Sequence, residues 1–428
     1  MLTPLRKRLS NVSPAVLSCY AIFASFSAYF CMYAFRKPFA AGTFEGDFGF
    51  LGIDLKTGLV ISQILGYATS KYIGIKVCSE MTRGRRAMVL VGLILWAEAA
   101  LILVGVVPGS WKAGALFLNG LSLGMVWGLV VWYLEGRRCS EFMLAGLSCS
   151  YIVASAVVKD VGLWLMDLGV DEPWMPAATG VCFLLPYLVA TWLLNQMPPP
   201  NEGDIEARVA REPMGGKDRI AFIRRFAFGL SILFAFYLFL TAYRDFRDNY
   251  AIEIFTELGE ADAYALFTRA ELPIGFAVLA VLSALVLIKD NRRGLLCALG
   301  IIITGTVLMG VATLLLEAGA IDGFTWMVLV GLGVYLAYVP FGSVLFDRMI
   351  ASTRTVGTAV FAIYVADALG YTGSVGIQLY KDLGQSDLSR LEFFKAFSLA
   401  LSACGTVAVL LASAYFWSRS RPPAGNQP

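Results

Sequence analysis

Long apolar stretches separated by short polar ones run along the whole chain. Twelve runs of about 20 mostly apolar residues begin near residues 15, 56, 87, 112, 142, 174, 225, 262, 294, 323, 355 and 391. A helix of about 20 residues crosses the ~30 Å hydrocarbon core of a bilayer. The runs are continuously apolar, whereas the strands of a membrane β-barrel alternate apolar and polar positions. The pattern therefore predicts an all-α membrane protein with twelve transmembrane helices.

The composition agrees with this class and excludes others. Of the 428 residues, 58% are hydrophobic and 15% are charged, which is far from the composition of a soluble protein. The chain has no histidine, so any proton relay must use carboxylates. Its eight cysteines stand singly, and neither a phosphate-binding Gly-rich loop nor a nucleophile–histidine pair occurs. We therefore predict a protein that is not an enzyme and uses neither a metal ion nor a cofactor.

Basic residues are unevenly distributed between alternate loops. If the N-terminus is cytoplasmic, the outer loops hold only Lys56, Lys112, Lys381, Arg390 and Lys395. This asymmetry is the positive-inside signature, so both termini are expected in the cytoplasm. The net charge of +3 then reflects topology and does not indicate nucleic-acid binding. The inner segments carry Arg6, Lys7, Arg8, Arg83, Arg85, Arg86, Arg137, Arg138, Lys289, Arg292, Arg293, Arg348, Arg354, Arg419 and Arg421.

The chain divides near its middle. Three prolines follow Met197 and end the sixth apolar run, and a stretch of mixed charge then continues to Arg225. Six apolar runs precede this stretch and six follow it. We predict an N-terminal six-helix bundle in residues 1–197, a flexible cytoplasmic linker in residues 198–224 and a C-terminal six-helix bundle in residues 225–428.

One motif occurs once in each half. Tyr29 precedes Arg36 by seven residues, and Tyr237 precedes Arg244 by the same number. In a helix this spacing puts both side chains on one face. An arginine at membrane depth is costly to bury and by default marks a functional site. Parallel six-helix repeats are typical of the major facilitator superfamily, and such a repeat would bring the two guanidinium groups together on one anion.

Short motifs resemble one branch of that superfamily, the organophosphate:phosphate antiporters of the glycerol-3-phosphate transporter type. The segment from Tyr29 to Phe39 resembles the Tyr…Tyr…Arg-Lys-x-Phe motif of their first helix. The segment from Gly66 to Tyr72 resembles the Tyr-x-x-Ser-Lys-Phe motif of their second helix. Arg244 matches the arginine of their seventh helix. Tyr338-Val339-Pro340 resembles the motif of their tenth helix, and Gly370-Tyr371-Thr372-Gly373-Ser374 resembles that of their eleventh.

The resemblance implies a major facilitator fold of two pseudo-symmetric six-helix bundles around a central cavity. In that branch two arginines bind the substrate phosphate, while a lysine and several tyrosines line the same cavity. By resemblance, Arg36 and Arg244 are therefore expected to hold an anion. The other expected substrate-binding residues are Lys71, Tyr29, Tyr33, Tyr67, Tyr338 and Tyr371.

Further charged residues within the apolar runs are candidates for gating or coupling. Asp248 is spaced for an i,i+4 pair with Arg244, and it either holds that arginine when the site is empty or forms a merely structural salt bridge. Asp367, near the middle of the eleventh run, is the best carboxylate candidate for coupling. The remaining candidates, each of which could instead neutralise a neighbour across the bundle, are Glu271, Lys159 and Asp160.

The main functional hypothesis is secondary transport of a small organic anion by alternating access. The favoured substrate is a phosphate ester exchanged for inorganic phosphate, because exchange needs no proton relay. One alternative is proton-coupled symport of a carboxylate such as a sugar acid, with Asp367 or Glu271 titrating. Another is a transporter-like membrane sensor of such an anion. We expect a monomer that lies in the lipid bilayer of a bacterial inner membrane.

Overall fold

The computed structural model describes residues 4–48, 53–134, 137, 139–200, 216–260, 265–353, 359–384 and 387–420. Most of these residues are helical, and the one β-type pairing within them is an isolated bridge between Asp47 and Asp54. Residues 201–215 of the predicted linker lie outside the described residues, as do the predicted cytoplasmic residues Arg138, Arg354 and Arg421.

Long helices are present at the positions of all twelve apolar runs. In chain order they are α1 Pro14–Tyr33, α2 Leu55–Glu80, α3 Arg83–Val106, α4 Lys112–Leu123 with Val126–Leu134, α5 Ser140–Asp167, α6 Met175–Asn195, α7 Ala227–Asn249, α8 Leu266–Val286, α9 Asn291–Glu317, α10 Gly323–Ser343, α11 Ala359–Leu379 and α12 Arg390–Arg419. Ten helices of the described part are long and apolar enough to cross a membrane. The other two, α2 and α11, pack against each other. Short helices at Pro4–Leu9, Gly216–Arg225, Ala251–Glu257 and Leu345–Thr353 lie outside the spans.

Each half of the chain has its own apolar core. One cluster of buried side chains draws on α1 to α6 and adds Tyr371 from α11. The other cluster draws on α7 to α12 and adds Ala145, Ile152 and Ala156 from α5. The added residues mark where the halves meet.

The halves meet along two related helix pairs, α2 with α11 and α5 with α8. Exchanging the halves converts one pair into the other, as expected for two bundles related by a pseudo-twofold axis. At the second pair, a Cβ on Gly275 would lie 2.8 Å from the side chain of Val153, so the glycine permits the close approach. Small residues at such contacts are typical of membrane helices, which gain packing but no hydrophobic effect from association.

The end of α1 differs from the expectation that Tyr29 and Arg36 share one helical face. The helix ends at Tyr33, and Arg36 lies in the turn that follows. Pro38 opens a short 3₁₀ helix at Pro38–Ala41, and a proline has no N–H group with which to continue the hydrogen-bond ladder of α1. In α7, by contrast, Tyr237 and Arg244 lie on one continuous helix. The repeated spacing therefore produces two different local structures.

We expect the ends of α8 to lie on opposite sides of the membrane. Glu257, before α8, and Arg293, after it, are both exposed, and the charge asymmetry assigns them to the outside and the cytoplasm, respectively. In a background without the eight native cysteines, Glu257→Cys should react with an impermeant maleimide on intact cells. Arg293→Cys should react only after the cells are opened. Labelling of both variants in intact cells would contradict the topology.

Candidate functional site

A narrow cavity lies between the ends of α1 and α7, where the two halves meet. Arg36 and Arg244 both line it, together with Lys37, Asp245 and Asp248. Its volume is about 10 Å³, which is room for about one water molecule. The structure thus brings the two arginines of the sequence repeat to one cavity. The remaining wall is formed by Tyr33, Tyr151 and Tyr335.

Arg36 is buried without an acceptor for its charge. Only 4% of the residue is exposed, and none of the described residues forms a hydrogen bond or ion pair with its guanidinium group. The guanidinium carbon lies 3.9 Å from the ring centre of Tyr67 and 5.8 Å from that of Tyr33. Such ring contacts contribute about 0.5–2 kcal/mol, whereas burying a cation costs several kcal/mol. The donors of Arg36 therefore remain free for an anion in the cavity.

Arg244 approaches the cavity from α7 and is held by its neighbour in the sequence. Its Nη2 and Nε donate to Asp245 Oδ1 at 2.6 and 3.2 Å. Its guanidinium carbon lies 4.1 Å from the ring centre of Tyr338. Each arginine thus lies against the face of a tyrosine from another helix, which fixes the plane of the guanidinium group.

The structure corrects the predicted pairing of Asp248 with Arg244. Asp248 instead lies 2.5 Å from Lys37 Nζ and 2.8 Å from Lys159 Nζ, and it accepts a hydrogen bond of 2.6 Å from the Ser155 hydroxyl. These partners come from α5 and from the turn after α1. The i,i+4 spacing predicts only partners on the same helix, whereas Asp248 lies at the boundary between the halves. It therefore joins the N-terminal half to the C-terminal half.

Lys71 and Asp367 form an ion pair between α2 and α11. The Tyr237 hydroxyl also donates to Asp367, at 2.8 Å. The Lys71 ammonium lies 5.6 and 5.4 Å from the ring centres of Tyr67 and Tyr371, whose centroids are 5.0 Å apart. Two of the sequence candidates, one proposed for binding and one for coupling, are thus direct partners.

Aromatic contacts connect this ion pair to both arginines. On one side, the Tyr67 ring contacts the ammonium group of Lys71 and also the guanidinium group of Arg36. On the other side, Tyr237, which donates to Asp367, stacks on Tyr338 with 5.2 Å between centroids, and the guanidinium group of Arg244 lies on the Tyr338 ring. A further ring contact of 5.6 Å connects Tyr29 to Tyr33 in the cavity wall. The eight residues predicted to bind substrate therefore form one cluster.

Two other coupling candidates have partners away from the cavity wall. Asp160 accepts hydrogen bonds from the backbone nitrogens of Phe267 and Thr268, at 3.3 and 2.7 Å, and so caps the first turn of α8 from the other half. Glu271 pairs with Arg247. Glu271 and Lys159 thus each neutralise a charged neighbour, whereas the hydrogen-bond donors to Asp160 are backbone N–H groups.

More contacts between the halves lie at the ends of α1, α2 and α7, which the charge asymmetry assigns to the outer side. In each contact, a polar side chain of the N-terminal half bonds to a polar side chain of the C-terminal half, at a distance of 2.5 to 3.0 Å. In the described structure the two halves are therefore joined at this end. The pairs are Lys56 with Glu253, Thr57 with Tyr250, Asp54 with Arg390 and Lys37 with Asn249.

The site carries an excess of positive charge. The lining, the residues bonded to it and the Lys71–Asp367 pair, which aromatic contacts connect to both arginines, hold five cations and three carboxylates within the described part of the chain, which leaves two positive charges unbalanced. The cations are Arg36, Lys37, Lys71, Lys159 and Arg244, and the carboxylates are Asp245, Asp248 and Asp367.

Several site residues were not among the sequence candidates. Tyr237 belongs to the repeated motif that revealed the arginines, so the motif itself could have identified it. Lys37 and Asp245 follow those arginines directly in the sequence. Tyr151 and Tyr335 carry no comparable signal, because only the packing of α5 against α10 brings them to the cavity.

A protein-family sequence model with the description "Family of unknown function (DUF5690)" matches residues 38–419 of the chain. The chain belongs to this family. The family's description names no function, and no curated protein matches the sequence.

Two solved structures show which fold this chain has. One is titled "Crystal structure of D-xylose-proton symporter"; it matches with a TM-score of 0.59 and 14% identity over 96% of this chain and 100% of that one. The other is a proton:xylose symporter of the major facilitator superfamily bound to 6-bromo-6-deoxy-D-glucose, with a TM-score of 0.60 and 14% identity over 95% and 96% of the two chains. This confirms the predicted major facilitator fold; neither structure is of an enzyme.

We expect Asp248 to contribute strongly to stability. Asp248→Asn leaves two buried ammonium groups without their shared carboxylate, which should cost roughly 3–5 kcal/mol. Asp54→Asn is the matched control, because Asp54 also pairs across the halves but is 66% exposed, so its loss should cost about 1 kcal/mol or less. Thermal unfolding of the purified variants measures the difference. Equal losses for both variants would show that Asp248 is not a buried link.

Proposed function

We propose that the protein is a secondary active transporter in which Arg36 and Arg244 together bind a small organic anion. The favoured substrate is a phosphate ester exchanged for inorganic phosphate. The observation that carries the proposal is Arg36, a buried guanidinium group that has no acceptor among the described residues and shares a cavity with Arg244. A guanidinium group presents parallel N–H donors that match the oxygens of a phosphate or a carboxylate.

The charge of the site favours a phosphate ester over a carboxylate. Two positive charges remain unbalanced in the cluster, and a phosphate monoester carries about −1.5 to −2 near pH 7. A monocarboxylate would leave one cation uncompensated, and a neutral sugar would leave both. Tyrosine hydroxyl groups supply further donors to an anion without adding charge.

The same charge excess supports exchange. A transporter that returns empty must change conformation with two uncompensated cations in a buried site, and this is costly in a medium of low dielectric constant. Inorganic phosphate bound on the return step would compensate that charge. The cavity has room for about one water molecule in this structure, so binding of an ester requires the halves to move apart.

Arg36→Lys and Arg244→Lys should each weaken anion binding at least about tenfold, or about 1.4 kcal/mol. Each variant keeps the charge but loses the planar fork of donors. Binding of inorganic phosphate and of glycerol 3-phosphate to the purified protein can be measured by thermal shift. Uptake into vesicles should fall in parallel while helical content is unchanged.

Arg292→Lys is the matched control for these variants. Arg292 also lies on a ring face, 3.6 Å from the ring centre of Trp417, and donates to Ser420, but it is at the start of α9 and away from the cavity. We expect wild-type anion binding from this variant. Wild-type binding by both cavity variants, or equal loss in the control, would reject the proposed role of the arginines.

Proton-coupled symport is the second candidate, and Asp367 supports it. This carboxylate is bonded to Lys71 and to Tyr237, so its protonation would break the ion pair between α2 and α11. A proton could thereby change the contact between the halves. The two solved structures of this fold, both titled as proton–xylose symporters, also support proton coupling.

The energy source separates the two candidates. Under exchange, inorganic phosphate inside vesicles should accelerate uptake of labelled glycerol 3-phosphate several-fold, and a protonophore should change the rate little. Under symport, the protonophore should abolish accumulation and internal phosphate should have no effect. Asp367→Asn provides an internal check, because symport predicts that this variant loses its dependence on the pH gradient.

A further inference from the structure

The turn that carries Arg36 needs support that its own backbone does not provide. Arg36 lies beyond the last residue of α1, and the carbonyls of Phe35 and Arg36 do not continue the hydrogen-bond ladder of that helix. Both residues are buried, and buried carbonyl groups are almost always hydrogen-bonded. The partners of these two carbonyls therefore determine where the turn lies.

Two buried amides from other helices supply these partners. Asn119 on α4 donates through Nδ2 to Phe35 O at 2.9 Å and to Ala97 O at 3.2 Å. Gln63 on α2 donates through Nε2 to Arg36 O at 2.9 Å and to Asn119 Oδ1 at 2.8 Å. The two amides thus bond to each other and to successive carbonyls of the turn.

Close packing of α2 on α4 fixes the position of the two amides. A Cβ on Gly120 would lie 2.1 Å from Gln63 O, and a Cβ on Gly66 would lie 2.1 Å from Phe117 O. Only residues without a side chain allow the two backbones to come so near. Gly66 directly precedes Tyr67, the ring on which Arg36 lies. The contact between α2 and α4 therefore fixes the position of the Arg36 turn and also that of the Tyr67 ring, on which the guanidinium group lies.

We propose that Gln63 and Asn119 are positioning residues, which hold the Arg36 turn so that its guanidinium group faces the anion site. This inference rests on the proposed function. Neither amide lines the cavity, so both would act on the anion only through Arg36. Their effect on binding should depend on the arginine and disappear when the arginine is changed.

Asn119→Leu and Gln63→Leu test the proposal from two helices. Leucine is close in size to either amide and has no polar group, so each variant removes the donating NH₂ group without adding a charge that acts on the anion directly. We expect the Kd for inorganic phosphate, from thermal-shift titration of the full-length protein, to rise at least tenfold in each variant. Ser122→Ala is the matched control on α4, because this buried hydroxyl donates only to Asn119 O of its own helix, at 2.8 Å. Its Kd should stay within twofold of wild type.

A double-mutant comparison separates positioning from a general loss of structure. Adding Asn119→Leu or Gln63→Leu to Arg36→Lys should change phosphate binding less than twofold beyond Arg36→Lys alone. A wild-type Kd in both single amide variants would overturn the inference. A further tenfold loss in the Arg36→Lys background would also overturn it. If one single variant does not fold, the other decides, since each removes the donor to one carbonyl of the turn.

The outcomes also distinguish this inference from the proposed function. If Arg36→Lys binds phosphate like the wild type, the role of Arg36 in anion binding is wrong. If Arg36→Lys loses binding while both amide variants keep it, only the positioning role is wrong.

Discussion

The buried positive charge around Arg36 is the constraint on which the rest of the structure depends. Moving a cation out of water costs several kcal/mol unless acceptors replace its hydration. Four of the five cations in the cluster meet this condition with a carboxylate, and Arg36 does not. The turn, the tyrosine ring beneath it and the two supporting amides then keep an uncompensated charge in one place. Under the proposed function, the anion supplies the acceptor that this fixed guanidinium group lacks.

The counter-ions of this cluster also connect the two halves of the molecule. Asp248 of the C-terminal half holds two lysines of the N-terminal half, and Lys71 is held in the same way by Asp367. Any motion that parts the halves between the ends of α1 and α7 must break the ion pairs of Asp248, so under the proposed function anion binding and conformational state are physically coupled. Under the proposed function, an anion that enters the cavity would compete with these carboxylates for the same cations. This competition gives alternating access an electrostatic basis without a separate signalling element.

The fold alone does not choose the substrate. Two solved structures titled as proton–xylose symporters share the architecture at 14% identity, and a common fold hosts many functions because activity depends on the side chains of the site. The side chains here include an excess of two buried positive charges, which the binding of a neutral sugar would not require. The argument for an anion therefore rests on the charges of this chain and not on its structural relatives.

The sequence by itself determined the helix number and identified the two arginines that meet at one cavity, because hydropathy and an internal repeat are local or periodic signals. Tertiary structure decided the pairing. The i,i+4 spacing indicated Arg244 for Asp248, whereas the carboxylate bonds to Lys37 and Lys159, which come from distant segments. Likewise, the equal spacing in the repeat did not show that α1 ends before Arg36. Ion pairs between helices depend on how the bundles pack, and no spacing along one helix records which helix lies opposite.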